Sequence, residues 1–428
     1  MDRAAIVDLD RRHVWHPYTD IDAWEAHGDP IVVARAHGSR LFDADGRSYL
    51  DGNSSWWTAG LGHAHPRLLA VLERQARDLA HVALGGITHE PAAALAAELV
   101  AIAPRGLTRV FYTDNGSTAV EAAVKTCVQS FRQRGKPEKV RFAALDGAFH
   151  GDTIGAASLG GVEIFRRPFA GVLFDCVHAP VEEGGFERAF ATLGELVERE
   201  SATLAAVVVE PIVQGAAGMR TYAPELLRHL AERCRANDVL LVCDEVFAGY
   251  GRTGRMWASD HAGITPDVMC IGKTFAGGVL PMGAMLVTES IYDAFRGGKE
   301  KSFYYGHTFC GHPLGAALAR EVLAIFRDEG VVSAVQRKAP TIAAAFDRIR
   351  ALDGVTGVRS LGMIGAADLG GSGYLGGRGW RVYEEAKKRG AYLRPLGDTV
   401  YVCPPLTIDD RDLAELLAIL EASVAATT

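Results

Sequence analysis

Between residues 67 and 310, short apolar runs alternate with stretches whose apolar residues recur every three to four positions. The runs are Arg109–Tyr112, Val140–Leu145, Ala205–Val209, Val239–Cys243, Val268–Ile271 and Ala284–Val287. They are rich in β-branched residues and bounded by Gly and Pro, which predicts strands buried on both faces. Strands alternating with helices predict an α/β fold, a mostly parallel sheet covered by helices on both sides. The ends of the chain read differently. Ile31–Arg35 and Ser39–Phe42 predict a hairpin, with turn chemistry in Asp43-Ala-Asp-Gly46. Beyond residue 310, two helical patterns, Leu314–Arg327 and Val332–Leu352, precede a Gly-rich stretch, Asp368–Arg378, that reads as a surface loop. The expected division is a large unit over 67–310 and a smaller α+β unit formed by 1–66 and 311–428.

Composition narrows the class. The chain has 428 residues, 48% hydrophobic and 23% charged, enough for a large core. Its net charge of −7 and the lack of a basic stripe argue against nucleic acid as a partner. Seven cysteines form no C-x-x-C pair, so no zinc or redox motif is expected, and their scatter fits a reducing cytoplasm. The charged N-terminus does not read as a signal peptide, and no stretch reads as a membrane span.

Four segments are candidates for chemistry, and one is set aside first. Gly249-Tyr-Gly-Arg-Thr-Gly254 matches G-x-G-x-x-G, but Arg255-Met-Trp-Ala-Ser-Asp260 opens no helix after it, so a dinucleotide site is not expected. In Tyr112–Lys125 a strand end meets a helix start near Ala119. Thr118 and Glu121 read as a capping box there, and Gly116, Ser117 and Thr118 as an anion site at the helix's positive end. Asp244 and Lys273 each end an apolar run, where open α/β sheets bind ligands. A lysine and a carboxylate delivered there suit a Schiff base and a pyridinium partner, the arrangement that pyridoxal phosphate (PLP) needs.

At this point the sequence resembles the class III PLP-dependent aminotransferases. The resemblance rests on Asp244-Glu-Val-Phe-Ala-Gly-Tyr-Gly-Arg-Thr-Gly254 and Pro266-Asp…Lys273, with Asn115-Gly-Ser-Thr118, His150-Gly-Asp152, Glu210-Pro-Ile-Val-Gln214 and His307-Thr-Phe309 in the family's order. It implies PLP fold-type I and a homodimer with shared active sites. It also implies roles. Lys273 attaches the cofactor and moves the proton, and Asp244 partners the pyridinium. Gly116, Ser117 and Thr118 hold the phosphate. Thr308, with His307 beside it, adds to that cup from the neighbouring subunit. Phe149 stacks on the ring, and Gln214 lies near its phenolic oxygen.

Trp15-His-Pro-Tyr-Thr19 and Asn53-Ser-Ser-Trp-Trp57 resemble the branch that aminates the keto acid 8-amino-7-oxononanoate in biotin biosynthesis. That likeness places Tyr18, Trp56, Trp57 and Gly306 at the substrate and pairs Arg394 with its distal carboxylate. Two positions depart from the family: Phe149 stands where a tyrosine is usual, and His307 where a proline is. The amino donor is expected to be S-adenosylmethionine, with lysine as the alternative. Gly151–Gly160 and Arg394–Asp398 look closer to the lysine-using branch. The other enzymatic reading is a broad ω-amine:pyruvate aminotransferase, which the loop His307–Pro313 resembles.

Overall fold

The computed structural model describes residues 1–26, 29–182, 184–371 and 373–427. Its centre is a seven-stranded sheet: β1 (Leu107–Thr113), β2 (Arg141–Leu145), β3 (Cys176–Ala179), β4 (Leu204–Val209), β5 (Leu240–Asp244), β6 (Val268–Ile271) and β7 (Gly283–Thr288). The spatial order is β1-β7-β6-β5-β4-β2-β3. Strands β6, β5, β4, β2 and β3 run parallel, and β7 is antiparallel to both its neighbours. Every residue of β4, β5 and β6 is buried, which explains why these strands read as unbroken apolar runs rather than alternating ones. Helices cover both faces. Gly116–Gln133 packs one side through Ala119, Ala123 and Phe131, and Gly185–Glu200 with Pro224–Ala236 packs the other through Leu193, Val197 and Leu227.

The two ends of the chain share one sheet. Val33–His37, Arg40–Asp43 and Ser48–Asp51 form an antiparallel meander, and Ala391–Tyr392 pairs with its last strand in parallel. The turn at Asp43–Gly46 thus joins the second and third strands of the meander, where Gly46 N–H donates to Asp43 O (3.1 Å). A second, antiparallel sheet holds Gly357–Leu361, Ile364–Asp368 and Thr399–Val402. The long C-terminal helices are Pro313–Asp328 and Val331–Ile349.

The described part of the Gly-rich stretch, which includes the 3-10 turn Gly373–Leu375, is docked: Asp398 N–H donates to Gly373 O (3.0 Å) and Arg378 N–H to Asp398 Oδ1 (2.8 Å). Residues 249–254 lie in turns and lead to no helix longer than the 3-10 turn Ala258–His261. Among the described residues no helix is long and apolar enough to cross a membrane, and no cluster suited to a metal ion occurs. All seven cysteines are free thiols.

Candidate active site

A cavity of about 420 Å³ opens beyond the carboxyl ends of β2, β4, β5 and β6. Asp244 is the last residue of β5 and sits opposite Cys270 of β6 in parallel register. Lys273 follows β6 by two residues, so the register brings the two side chains into one cavity. Asp244 is only 4% exposed. His150 Nδ1 lies 2.8 Å from its Oδ2, and Val246 N–H donates to its Oδ1 (3.1 Å). A carboxylate accepts only, so Nδ1 carries the imidazole proton.

Lys273 has φ +50°, a left-handed conformation unusual for a residue with a Cβ. Such strain concentrates at functional sites. Burial pulls its ammonium below the usual lysine range, against the opposing pull of the Asp244 and Glu210 carboxylates. Its Nζ lies 5.0 Å from the centre of the Trp57 ring. Glu210 accepts hydrogen bonds from Phe149 N–H (3.0 Å) and Gly215 N–H (2.8 Å), and burial pushes its carboxyl up to about 7.

The anion site differs in detail from the sequence expectation. The helix begins at Gly116, not near Ala119, and its cap is Asn115. Asn115 Oδ1 accepts the Thr118 N–H (3.0 Å), and Thr118 Oγ1 accepts the Asn115 N–H (3.2 Å). Asparagine one turn earlier is the stronger cap, and it displaces the expected Thr118–Glu121 box. Glu121 instead accepts from Gly155 N–H (2.6 Å) and Ala156 N–H (3.3 Å). Thr118 also donates its hydroxyl to Asp114 (2.7 Å), so its polar groups are spent locally. Gly116 and Ser117, at the first two helical positions, keep N–H groups that no helical carbonyl can accept. Both line the cavity.

These residues fit PLP. Two free N–H groups at a helix N-terminus suit a phosphate. A buried carboxylate held by His150 suits a pyridinium, and a partly desolvated lysine suits an imine. Phe149 lines the same cavity. Gln214 donates its amide to Asp146 O (3.1 Å) and leaves its Oε1 buried with no partner among the described residues. Gly306 and Thr308 are exposed and His307 sits 3.6 Å from Asp114; none of the three lines the cavity.

The tandem tryptophans point in opposite directions. Trp57 is 5% exposed, packs on Phe247 (ring centres 4.6 Å apart) and donates its Nε1–H to Tyr401 Oη (3.0 Å). Trp56 is 38% exposed and meets Tyr18 edge-on at 5.6 Å. The Arg394 guanidinium stands 4.7 Å over the Trp56 ring and donates to Tyr18 O (3.1 Å). Tyr18, Trp56 and Arg394 therefore form one group.

Two residues beside them have no role that the sequence expectation assigns. Asp152 accepts the Tyr18 hydroxyl at 2.5 Å, and Phe165 packs edge-on against Tyr18, Phe149 and Tyr374 at 5.3, 5.8 and 5.1 Å. Asp152 lies in the His150-Gly-Asp152 triplet, and its contacts with Tyr18, 134 residues away, and with Ser117 Oγ (3.3 Å, from its N–H) mark its place.

Comparison with known proteins agrees with this geometry. Residues 23–424 match the family Aminotransferase class-III. The adenosylmethionine-8-amino-7-oxononanoate aminotransferase of Geobacter sulfurreducens is 38% identical, over 99% of this chain and 98% of that protein. The crystal structure of the enzyme of the same name from Methanocaldococcus jannaschii superposes with a TM-score of 0.95 at 32% identity, covering all of both chains. An amine transaminase from an uncultivated Pseudomonas species, solved in its PLP-bound form, gives 0.91 at 28% identity over 97% of this chain and 99% of that one. With its lysine, aspartate and helix N-terminus gathered in one cavity of a fold-type I sheet, the chain belongs to the class III aminotransferases and is a PLP-dependent enzyme.

Proposed function

We propose that this enzyme aminates 8-amino-7-oxononanoate to 7,8-diaminononanoate in biotin biosynthesis, with S-adenosylmethionine or lysine as donor. The observation that carries the reading is the grouping of Tyr18, Trp56 and Arg394 beside the PLP cavity. The substrate is an apolar chain with a carboxylate at one end and a ketone next to an ammonium at the other. A guanidinium for the carboxylate and aromatic faces for the chain match that shape. Asp152, held by Tyr18, supplies a carboxylate for the ammonium. The names of the bacterial and archaeal relatives support the same substrate.

Bound PLP supplies an electron sink for the carbanion at the reacting carbon. The chain's own residues do the rest. Asp244 keeps the ring nitrogen protonated, and His150 fixes the orientation of Asp244. Gly116 and Ser117 hold the phosphate through backbone N–H groups. Phe149, which lines the cavity, would pack against the ring, and Gln214, with its free Oε1, would accept a hydrogen bond from it. Lys273 would hold the cofactor, and its amine, where neutral, would accept and return the proton at the reacting carbon. Its lowered pKa keeps that amine neutral at a lower pH than an exposed lysine could be.

The working unit is a cytoplasmic homodimer, in which the exposed Gly306 and Thr308, with the half-buried His307 between them, complete the phosphate cup and substrate pocket of a second copy. Seven free thiols suit that compartment.

The test is Arg394→Ala assayed on the keto acid and on its methyl ester. Loss of a charge-assisted pair worth about 1.5–3 kcal/mol raises KM for the acid by on the order of tenfold to a hundredfold and leaves the ester unchanged. Equal effects on both would refute the assignment. The second reading, a broad ω-amine:pyruvate aminotransferase, draws on the structural likeness to amine transaminases. Faster turnover of simple amines with pyruvate than of the keto acid decides for it.

A further inference from the structure

Ser54, Ser55, Trp56 and Trp57 all have positive φ, at +47°, +45°, +63° and +72°. Four consecutive left-handed residues, none of them glycine, are strongly disfavoured, at about 1–2 kcal/mol each. The surroundings hold this turn. Ser54 Oγ donates to Cys403 O (2.6 Å), Ser55 Oγ donates to Asp51 Oδ2 (3.1 Å), and Trp57 N–H donates to Asn53 O (2.8 Å). The turn is what sends Trp56 outward and Trp57 inward.

Asn53 stands at the head of the turn and is 1% exposed. The parallel ladder between Ser48–Asp51 and Ala391–Tyr392 places Asp51 beside Tyr392, and Gly52 N–H donates to Tyr392 O (3.0 Å). One step further the ladder's next acceptor, Gly52 O, is taken by the Cys403 N–H (2.7 Å). There the side chain of Asn53 takes over: its Oδ1 accepts the backbone N–H of Arg394 at 2.6 Å. The donor is a main-chain N–H, so the amide must present its oxygen. Pro395 follows and disfavours helical backbone at Arg394. Arg394 is thus fixed on one side by proline and on the other by Asn53.

We propose that Asn53 is a positioning residue for substrate selection, tying the strained turn that carries Trp56 to the backbone that carries Arg394. Aromatic wall and guanidinium then move as one body, so the distance between the chain-binding surface and the carboxylate-binding group is constant. This sets which chain length of keto acid fits. The proposal rests on the reading that Arg394 receives the distal carboxylate, and the experiment separates the two.

Steady-state kinetics of the PLP-loaded enzyme are measured with the keto acid and with its methyl ester, for wild type, Asn53→Ala, Arg394→Ala and the double variant. In Asn53→Ala the expected change is a KM for the acid raised on the order of tenfold, a kcat changed several-fold less, and an ester KM changed little. The double variant should be no worse than Arg394→Ala alone, since both losses act through one guanidinium. If Asn53→Ala does not accumulate folded, Asn53→Ser, which keeps more of the volume but cannot reach Arg394, should show the same split. An acid KM unchanged by the Asn53 variants while Arg394→Ala raises it overturns the proposal and leaves the Arg394 reading intact. Equal rises for acid and ester show a general loss of structure and overturn it too. If Arg394→Ala itself leaves the acid KM unchanged, both fall.

Discussion

Gly151→Ala tests the phosphate site through backbone geometry rather than through a contacting side chain. Gly151 has φ +123°, a region that L side chains rarely adopt. A Cβ there would lie 2.3 Å from Ser117 Oγ and 2.8 Å from Ser117 Cα. The first atom can rotate away; the second is backbone, at the second position of the phosphate-site helix. Backbone strain of about 1–3 kcal/mol adds to crowding of similar size. Ser117 Cβ, at 2.6 Å, cannot rotate away either, so relief requires Ser117 to retreat by roughly 0.8 Å to reach ordinary van der Waals distance. That shift pulls the Gly116 and Ser117 N–H groups from their places, each worth about 1.5–3 kcal/mol to a charged acceptor. PLP affinity should therefore fall by on the order of tenfold to a hundredfold. The assay is titration of apoprotein with PLP, followed by absorbance. Gly171→Ala is the control, because nothing lies within 4 Å of a Cβ there. An unchanged PLP affinity in Gly151→Ala, with folding intact, would refute the claim that Gly116 and Ser117 hold the phosphate.

Other outcomes follow from the same structure. Lys273→Ala should abolish both transamination and the visible absorbance of the lysine-bound cofactor; a persisting band would show that another amine holds it. Glu245 accepts from Ala258 N–H (2.8 Å), Ser259 N–H (2.8 Å) and Ser259 Oγ (2.7 Å), yet burial raises its carboxyl from 4.5 to about 7. A folded pKa above the unfolded one means that the folded state loses stability as pH rises through 4.5 and that the loss is complete above about 7. Glu245→Gln removes this titration. Apoprotein denaturant melts should show wild type losing about 2–3 kcal/mol relative to the variant between pH 5 and 8, and a pH-independent difference would contradict the account.

Much of the scaffold was legible because β4, β5 and β6 are buried on both faces, which leaves continuous apolar runs as a plain signal. Asp244 and Lys273 stood out for the same reason: each is a charge ending such a run. What escaped depends on contacts across the sequence. The cap is Asn115, and Glu121, expected in a capping box, instead finds partners at Gly155 and Ala156, 34 and 35 residues on. The opposed directions of Trp56 and Trp57 come from a left-handed turn, which neither a period of 2 nor one of 3.6 can express. Phe165 and Tyr374 join the aromatic group only through packing, and the Gly-rich loop that carries Tyr374 gives no hint that it docks against Asp398.

The most direct test of the central claim uses purified, PLP-loaded protein with 8-amino-7-oxononanoate, supplied with S-adenosylmethionine and with lysine in separate reactions. The account predicts 7,8-diaminononanoate, identified by mass, with at least one of these donors and its loss in Lys273→Ala. Absence of that product with both donors, alongside brisk transamination of simple amines with pyruvate, would contradict it.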